Sequence, residues 1–240
     1  MKTYWWPAKN FGDTLTPHIL EHFIKQKIEL AERADKGKLL ATGSILHLMQ
    51  DNDVVWGSGL NKKRRITAKK GVKFLAVRGP ITRWLIRGAK IPQVYGDPGI
   101  LLPLIYNPKI EKKYEVGILP HYVDKPFAKE TYEMEIAEGK AKMIDIQADW
   151  KTVIEEVLSC KKIITSSLHG LICAEAYGIP VIWVRYSDKI TGGPLKFQDY
   201  FMGTGRPRQK YNTEIPPIKD LETKQKILIK ALQDYYGPKN

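Results

Sequence analysis

The chain has 240 residues, 43% of them hydrophobic, 27% charged and 10% aromatic, which is globular composition and argues against a disordered chain. Its only two cysteines, Cys160 and Cys173, argue against a disulfide framework and for a reducing compartment. The net charge of +13, from 39 Lys+Arg against 26 Asp+Glu, suits nucleic acid, an acidic membrane surface, or a phosphorylated or carboxylated small molecule.

The N-terminal MKTYWWPAKNFGD lacks an apolar stretch of signal-peptide length. No window approaches the roughly 20 apolar residues of a membrane span. A cytoplasmic location is therefore expected. Residues 2–6, KTYWW, read as a first strand, followed by a Gly-containing loop. Thr16-Pro17 reads as an N-cap and a first helical residue, with Ile19, Leu20, Phe23, Ile24 and Ile28 at helical spacing. KLLATGS and DVVWGSG each read as a short strand ending in Gly and Ser. The basic residues cluster in NKKRRITAKKGVK, residues 61–73, which fits a solvated face or a contact with a membrane or lipid diphosphate. No helix-turn-helix, zinc-finger or RNA-recognition motif accompanies the charge, so nucleic acid is not expected. KFLAVRG is another strand, Pro80 opens the helix ITRWLIRG, and VYGDPGILLP closes this half.

The polar stretch IYNPKIEKKY, 105–114, reads as a linker, and the same grammar then repeats. EVGILPH and AKMIDI are strands, with the helix FAKETYEMEIA between them. The next helix places Trp150, Val153, Ile154, Val157 and Leu158 on one face. KIITSS is a strand, LHGLICAEAYG a helix, PVIWVR a buried strand and KFQDYFMG a short helix. The last helix, 219–236, is amphipathic through Leu221, Leu228, Leu232 and Tyr235. Strands alternating with helices predict an α/β fold with parallel sheets. The expected division is an N-terminal half, 1–105, a C-terminal half, 114–218, and a segment 219–240 whose helix packs back across the joint.

In open α/β sheets ligands bind outside the carboxyl ends of the strands, so residues there are the candidates. Ser166, Ser167, His169 and Gly170 lie where an apolar strand runs into a helix. Free N–H groups and two hydroxyls there suit a phosphate or carboxylate, and His169 can exchange a proton near neutral pH. The alternative is a histidine that caps or packs the turn. Arg78, in AVRGP, can grip an anion bidentately or form a structural ion pair. Asn10 and Asp13 sit in NFGD, and Asp97 in GDP; each acid can position a hydroxyl or cap a helix. His121 follows the strand EVGILP as a second acid–base or anion-binding candidate. His18, His22 and His47 fall on predicted helices and read as structural or exposed, and Cys173 as a buried free thiol. No His or Cys pair has metal-ligand spacing, and no dinucleotide, Walker or nucleophile-elbow motif is present; neither metal nor cofactor is expected.

Together, NFGD, WGSG at 56–59, AVRGP at 76–80, YGDPGILLP at 95–103, GILPH at 117–121, SSLHG at 166–170 with AEAYGIPVI, and KFQDYF at 196–201 resemble the polysaccharide pyruvyl transferase family, in the family's order. The resemblance implies two Rossmann-like halves, in the manner of a glycosyltransferase B fold. It implies transfer of pyruvate from phosphoenolpyruvate to two hydroxyls of one sugar of a cell-surface or exopolysaccharide unit, forming a ketal, in bacterial cell-envelope work. The family's cleft histidine falls on His169 and its anion-binding arginine on Arg78. Ser167 stands where some members carry Arg, so that contact is lost, passes to Lys196 or Arg185, or is differently used. On this reading His169 is the acid or proton shuttle. Arg78, Ser166 and Ser167 bind the anion, and Asp13 or Asp97 orients or deprotonates a sugar hydroxyl. A lipid-linked acceptor would bring the basic segment 61–73 to the inner face of the membrane. The rivals are a sugar-nucleotide glycosyltransferase, with Glu175 as a candidate carboxylate, and a non-catalytic membrane-surface binding protein.

Overall fold

The computed structural model describes residues 1–8 and 10–237; Lys9 and the end of the expected 219–240 segment, residues 238–240, lie outside the described residues. In chain order the first half holds β1 (Lys2–Tyr4), α1 (Phe11–Ile24), β2 (Glu29–Leu30), β3 (Leu39–Leu40), β4 (Val54–Trp56), β5 (Ile66–Thr67), β6 (Lys73–Ala76), α2 (Pro80–Leu85), β7 (Ile86–Arg87) and α3 (Leu102–Ile105). Then follow β8 (Tyr114–Leu119), α4 (Lys125–Thr131), α5 (Glu133–Ala137), β9 (Ala141–Met143), α6 (Trp150–Leu158), β10 (Cys160–Thr165), α7 (Leu168–Ala176), β11 (Val181–Trp183), α8 (Gly193–Gly203), β12 (Thr213–Glu214) and α9 (Leu221–Tyr236).

The first sheet is parallel, in the order β2-β1-β3-β4-β6. The second runs β12-β11-β10-β8-β9 and is parallel except for the edge strand β12. Both share one winding rule. The first strand of each half lies inside the sheet, its successor goes to one edge, and the third strand goes to the other side. The winding therefore reverses between β1 and β3, and again between β8 and β10. At such a reversal the loops part and leave a crevice outside the carboxyl ends of the strands.

The two sheets share a buried core. Phe11, Leu15, Trp56, Ile100 and Leu102 cluster with Leu119, Val153, Leu171, Ile172, Phe201 and Leu228. Apolar burial of this kind fixes the two crevices relative to each other. Residues 106–113, between the sheets, carry no helix or strand. They are tied down at both ends: Tyr177 donates its hydroxyl to the Tyr106 carbonyl, and Lys113 N–H donates to the Ser159 carbonyl at 2.8 Å. Helix α9 buries Gln225, Leu228 and Leu232. The Trp56 indole N–H donates to the Leu228 carbonyl at 2.8 Å, and the Gln225 amide to the Ile100 carbonyl at 2.7 Å, so this last helix lies on the first half.

The structure departs from the sequence expectation in four places. Helix α1 begins at Phe11, and Pro17 lies inside it. A proline there forfeits a helical hydrogen bond, but Phe11, Gly12 and Leu15 are buried one turn earlier, and Thr16 turns its hydroxyl to Thr42 instead of capping. The helix expected over FAKETYEMEIA divides at Tyr132 into α4 and α5. Strands β5 and β7 pair into a separate parallel ribbon. Strands β2 and β12, of two residues each, were not foreseen.

Candidate functional site

A cavity of about 390 Å³ opens where the two crevices meet. The first half lines it with Trp6, Asn10, Asp13, Ser44 and His47, the second with His121, Tyr122, Ser167, His169, Lys189 and Lys196. All of them follow strand ends or begin helices, as the winding reversal requires.

His169 stands in the first turn of α7, with its side chain 11% exposed. Behind it is Asp97, wholly buried between β7 and α3. Asp97 Oδ1 accepts the Gly99 N–H at 3.0 Å. Its Oδ2 accepts no hydrogen bond and lies 3.5 Å from His169 Nε2, itself unpartnered among the described residues. Two unsatisfied buried polar atoms facing each other are costly alone, and a proton on Nε2 reconciles them. The carboxylate thus orients the ring. On the other side the ring lies over Gly12, where any Cβ would collide with Nδ1. The glycine of NFGD is therefore required by the histidine of SSLHG.

Asp13 lies next to this ring. Burial holds its carboxyl above the usual range, opposed by His169, by a 2.7 Å hydrogen bond from the Asn10 amide and by Lys196. A carboxyl held nearer neutrality is suited to proton transfer. Lys196, on α8, is lowered to about 8 by burial and then by the field of Arg78. His121 is lowered to about 4, mainly by burial, then by Lys196 and His169, so it is neutral at pH 7. Its Nδ1 accepts the Val123 N–H at 3.4 Å. Lys189 reaches the cavity from the segment before α8. Neither Lys189 nor Lys196 forms an ion pair with a carboxylate among the described residues. The site thus offers two free ammonium groups, neutral donors in Asn10, Ser44 and Ser167, and an oriented imidazole beside a protonable acid.

Several expected residues do other work. Arg78 is fully buried. It donates to Asp199 at 3.1 Å, to the Ser44 hydroxyl at 2.7 Å and to the Leu60 carbonyl at 2.7 Å, and it does not line the cavity. It clamps α8 to the first half. Gly59 of WGSG is shaped to it, since a Cβ there would meet the guanidinium. Asp97 lies behind His169 and does not line the cavity. Ser166 accepts the His121 N–H at 3.1 Å and lines a smaller neighbouring pocket with Trp183 and Arg185. Ser167 lines the cavity while accepting the Gly170 N–H at 3.4 Å as the cap of α7. Gly170 is packed against Thr165 and Leu119, so its missing side chain serves packing, not ligand approach. Glu175 is buried in an ion pair with Arg206. His47 lines the cavity instead of sitting on an ordinary helix. Lys189 and the aromatic pair Trp6 and Tyr122 were not singled out from sequence; the strand-end rule alone could have found them.

Among the described residues no group of His, Cys, Asp and Glu is placed to hold a metal ion, and no helix is long and apolar enough to cross a membrane. A family model described as polysaccharide pyruvyl transferase matches residues 10–188. A curated protein of Acanthamoeba polyphaga mimivirus, described only as uncharacterized, is 39% identical over 186 residues, which cover 74% of this chain and 64% of the relative. The chain thus spans less than two thirds of that relative's length. No solved structure matches the chain significantly.

Proposed function

We propose that this chain, which belongs to the polysaccharide pyruvyl transferase family, moves pyruvate from phosphoenolpyruvate onto two hydroxyls of one sugar of a cell-surface or exopolysaccharide unit, closing a ketal. The observation that carries this reading is the pairing, in one cavity, of two unpaired lysines with a carboxylate-backed histidine.

Phosphoenolpyruvate carries a carboxylate and a phosphate. Lys189 and Lys196 bind these charges, and Ser167 and Asn10 supply neutral donors. His169 gives a proton to the methylene carbon, which leaves oxocarbenium character at the neighbouring carbon. Its Nε2 is directed to Asp97, so Nδ1 is the nitrogen left for the substrate. A first sugar hydroxyl attacks that carbon and loses its proton to Asp13. A second hydroxyl then displaces phosphate, which leaves with the remaining proton. Two hydroxyl protons are released and two are accounted for, one by the new methyl group through the His169–Asp13 exchange and one by phosphate. Trp6 and Tyr122, 41% and 45% exposed, flank the cavity from opposite halves and provide apolar walls for a sugar ring.

The glycosyltransferase reading loses its candidate carboxylate, because Glu175 is bound to Arg206. The two are separated by thermal shift with phosphoenolpyruvate against a panel of nucleotide sugars, followed by phosphate release in the presence of glycan acceptors. Stabilisation by phosphoenolpyruvate that disappears in Lys196→Met, with acceptor-dependent phosphate release, is expected. Stabilisation by a nucleotide sugar alone would overturn the pyruvyl-transfer reading.

A further inference from the structure

Between Asp53 and Asp97 the chain carries no acidic residue, while eleven Lys and Arg side chains fall in residues 54–96. One of them, Arg78, is buried against Asp199. Among the described residues none of the other ten forms an ion pair with a carboxylate. The acids just before the stretch are engaged already, Asp51 by Lys36 at 3.0 Å and Asp53 by Lys38 at 2.8 Å. Elsewhere on the surface cations are commonly matched: Lys140 with Glu138, Lys161 with Glu115, Lys226 with Glu222 and Lys230 with Asp234.

The fold gathers the unmatched cations into a strip. The β5–β7 ribbon pairs Ile66–Thr67 with Ile86–Arg87. At one end Lys62, Lys63, Arg64 and Arg65 are exposed. Beside them Trp84 is 60% exposed, with the Arg65 guanidinium 4.4 Å from its ring centre. At the other end Lys69, Lys70, Lys73 and Lys90 line a groove of about 500 Å³ with Tyr235. The first end starts at Asn61, which lines the cavity of the candidate site.

Clustered like charges repel one another, and a large exposed indole is unfavourable in water, so the strip is at its best when covered. An anionic bilayer covers both features at once. Lysines and arginines gain from its surface potential. An amphipathic indole settles at the headgroup level. A single-stranded nucleic acid fits less well, because base stacking needs an open aromatic face and Arg65 lies over the Trp84 ring. We infer that the β5–β7 ribbon is a docking surface for an anionic phospholipid membrane, with Trp84 in the headgroup layer and the Asn61 side of the cavity at the bilayer. The inference stands apart from the transfer chemistry, since its readout is vesicle binding and not turnover.

The test is co-sedimentation of the full chain with vesicles of phosphatidylcholine alone and of phosphatidylcholine mixed with phosphatidylglycerol. Binding to the anionic vesicles only, weakening as salt rises, is expected. Replacing Lys62, Lys63, Arg64 and Arg65 by Gln weakens binding by about fivefold per cation removed. Trp84→Ala weakens it further at a salt concentration where the charges are screened. Removing the same charge from exposed positions outside the strip, Lys109, Lys113, Lys129 and Lys210, has a much smaller effect. Thermal unfolding of each variant confirms that it is folded; all the replaced side chains are exposed. Equal loss in the two quadruple variants would reduce the strip to general charge and overturn the inference. So would equal binding to both vesicle types, no vesicle binding, or retention of a single-stranded oligonucleotide without vesicle binding.

Discussion

After β6 an apolar strand delivers Arg78 to a Gly-Pro turn and helix α2; after β10 another delivers Ser166, Ser167 and His169 to helix α7. Both turns lie outside the carboxyl end of a parallel strand, and both bring a group suited to an anion. Their fates differ because of what comes from the rest of the chain. Asp199 on α8 meets Arg78, and Ser44 and the Leu60 carbonyl take one donor from each of its terminal nitrogens. Asp97 meets His169 from behind at 3.5 Å, Gly12 lies over the ring and Asp13 beside it, and the ring still borders the cavity. On the proposed reading a strand-end residue acts when part of it faces the cavity, and is structural when its donors are turned to protein partners.

The widest separation of the two turns comes from truncating each. His169→Ala is expected to lower turnover by about 10²–10⁴-fold, at a smaller cost in stability than Arg78→Ala, because Asp97 keeps the Gly99 N–H. Arg78→Ala is expected to do the reverse in kind: it strands the buried Asp199 carboxylate and lowers stability by about 3–5 kcal/mol, read by denaturant unfolding. An Arg78→Ala protein of full stability that fails to bind phosphoenolpyruvate would restore Arg78 as the anion grip.

Asp97→Asn tests the contact from behind. The amide retains an oxygen for the Gly99 N–H but offers no charge to His169. Turnover falls, because the ring has lost the carboxylate that orients it. Donor affinity stays near its original value. Unchanged turnover would leave Asp97 as a helix cap and nothing more.

The sequence made the turn after β10 readable, because strand, hydroxyls, histidine and helix are contiguous in ITSSLHGLICAEA. The alternation of strands and helices was readable for the same local reason, and the parallel sheets follow from it. The partners were not. Asp97 and Asp199 each reach their ring or guanidinium from another element, and which of the two closes a site depends on packing that no local pattern carries. Lys189 was hidden by lying in a segment without regular structure, and Pro17 disguised the true start of α1, since a proline reads as a first helical residue until burial one turn earlier is known. The β5–β7 ribbon escaped because two-residue pairings leave no periodicity to read.

Lys196 sharpens the comparison as the cation that remains free where Arg78 does not. Its ammonium is lowered to about 8 by burial and by Arg78, so it is charged at pH 7 and loses its charge as pH rises through about 8. Affinity for phosphoenolpyruvate should therefore weaken by about tenfold per pH unit above that point, measured by titration calorimetry. Lys196→Met removes that step and weakens binding at pH 7 by about 10–100-fold, the worth of a charge-assisted hydrogen bond. Retention of the step in the variant would assign it to another group.

The smallest effect separates two histidines of the same cavity. His121 is lowered to about 4, chiefly by burial, whereas in the unfolded chain a histidine titrates near 6.5. Between those values the unfolded chain binds the proton and the folded one does not, so His121 makes stability fall as pH drops from about 6.5 toward 4. The raised carboxyls of Asp13 and Glu175 act in the opposite sense, so the wild-type curve alone cannot isolate it. The change in unfolding free energy between pH 7 and pH 5, compared in His121→Gln and the parent chain, does. The variant should lose less stability over that interval, because a glutamine has no proton to take up on unfolding. An identical loss would mean that His121 is charged in the folded cavity, and that it, like the lysines, belongs to the anion-binding set.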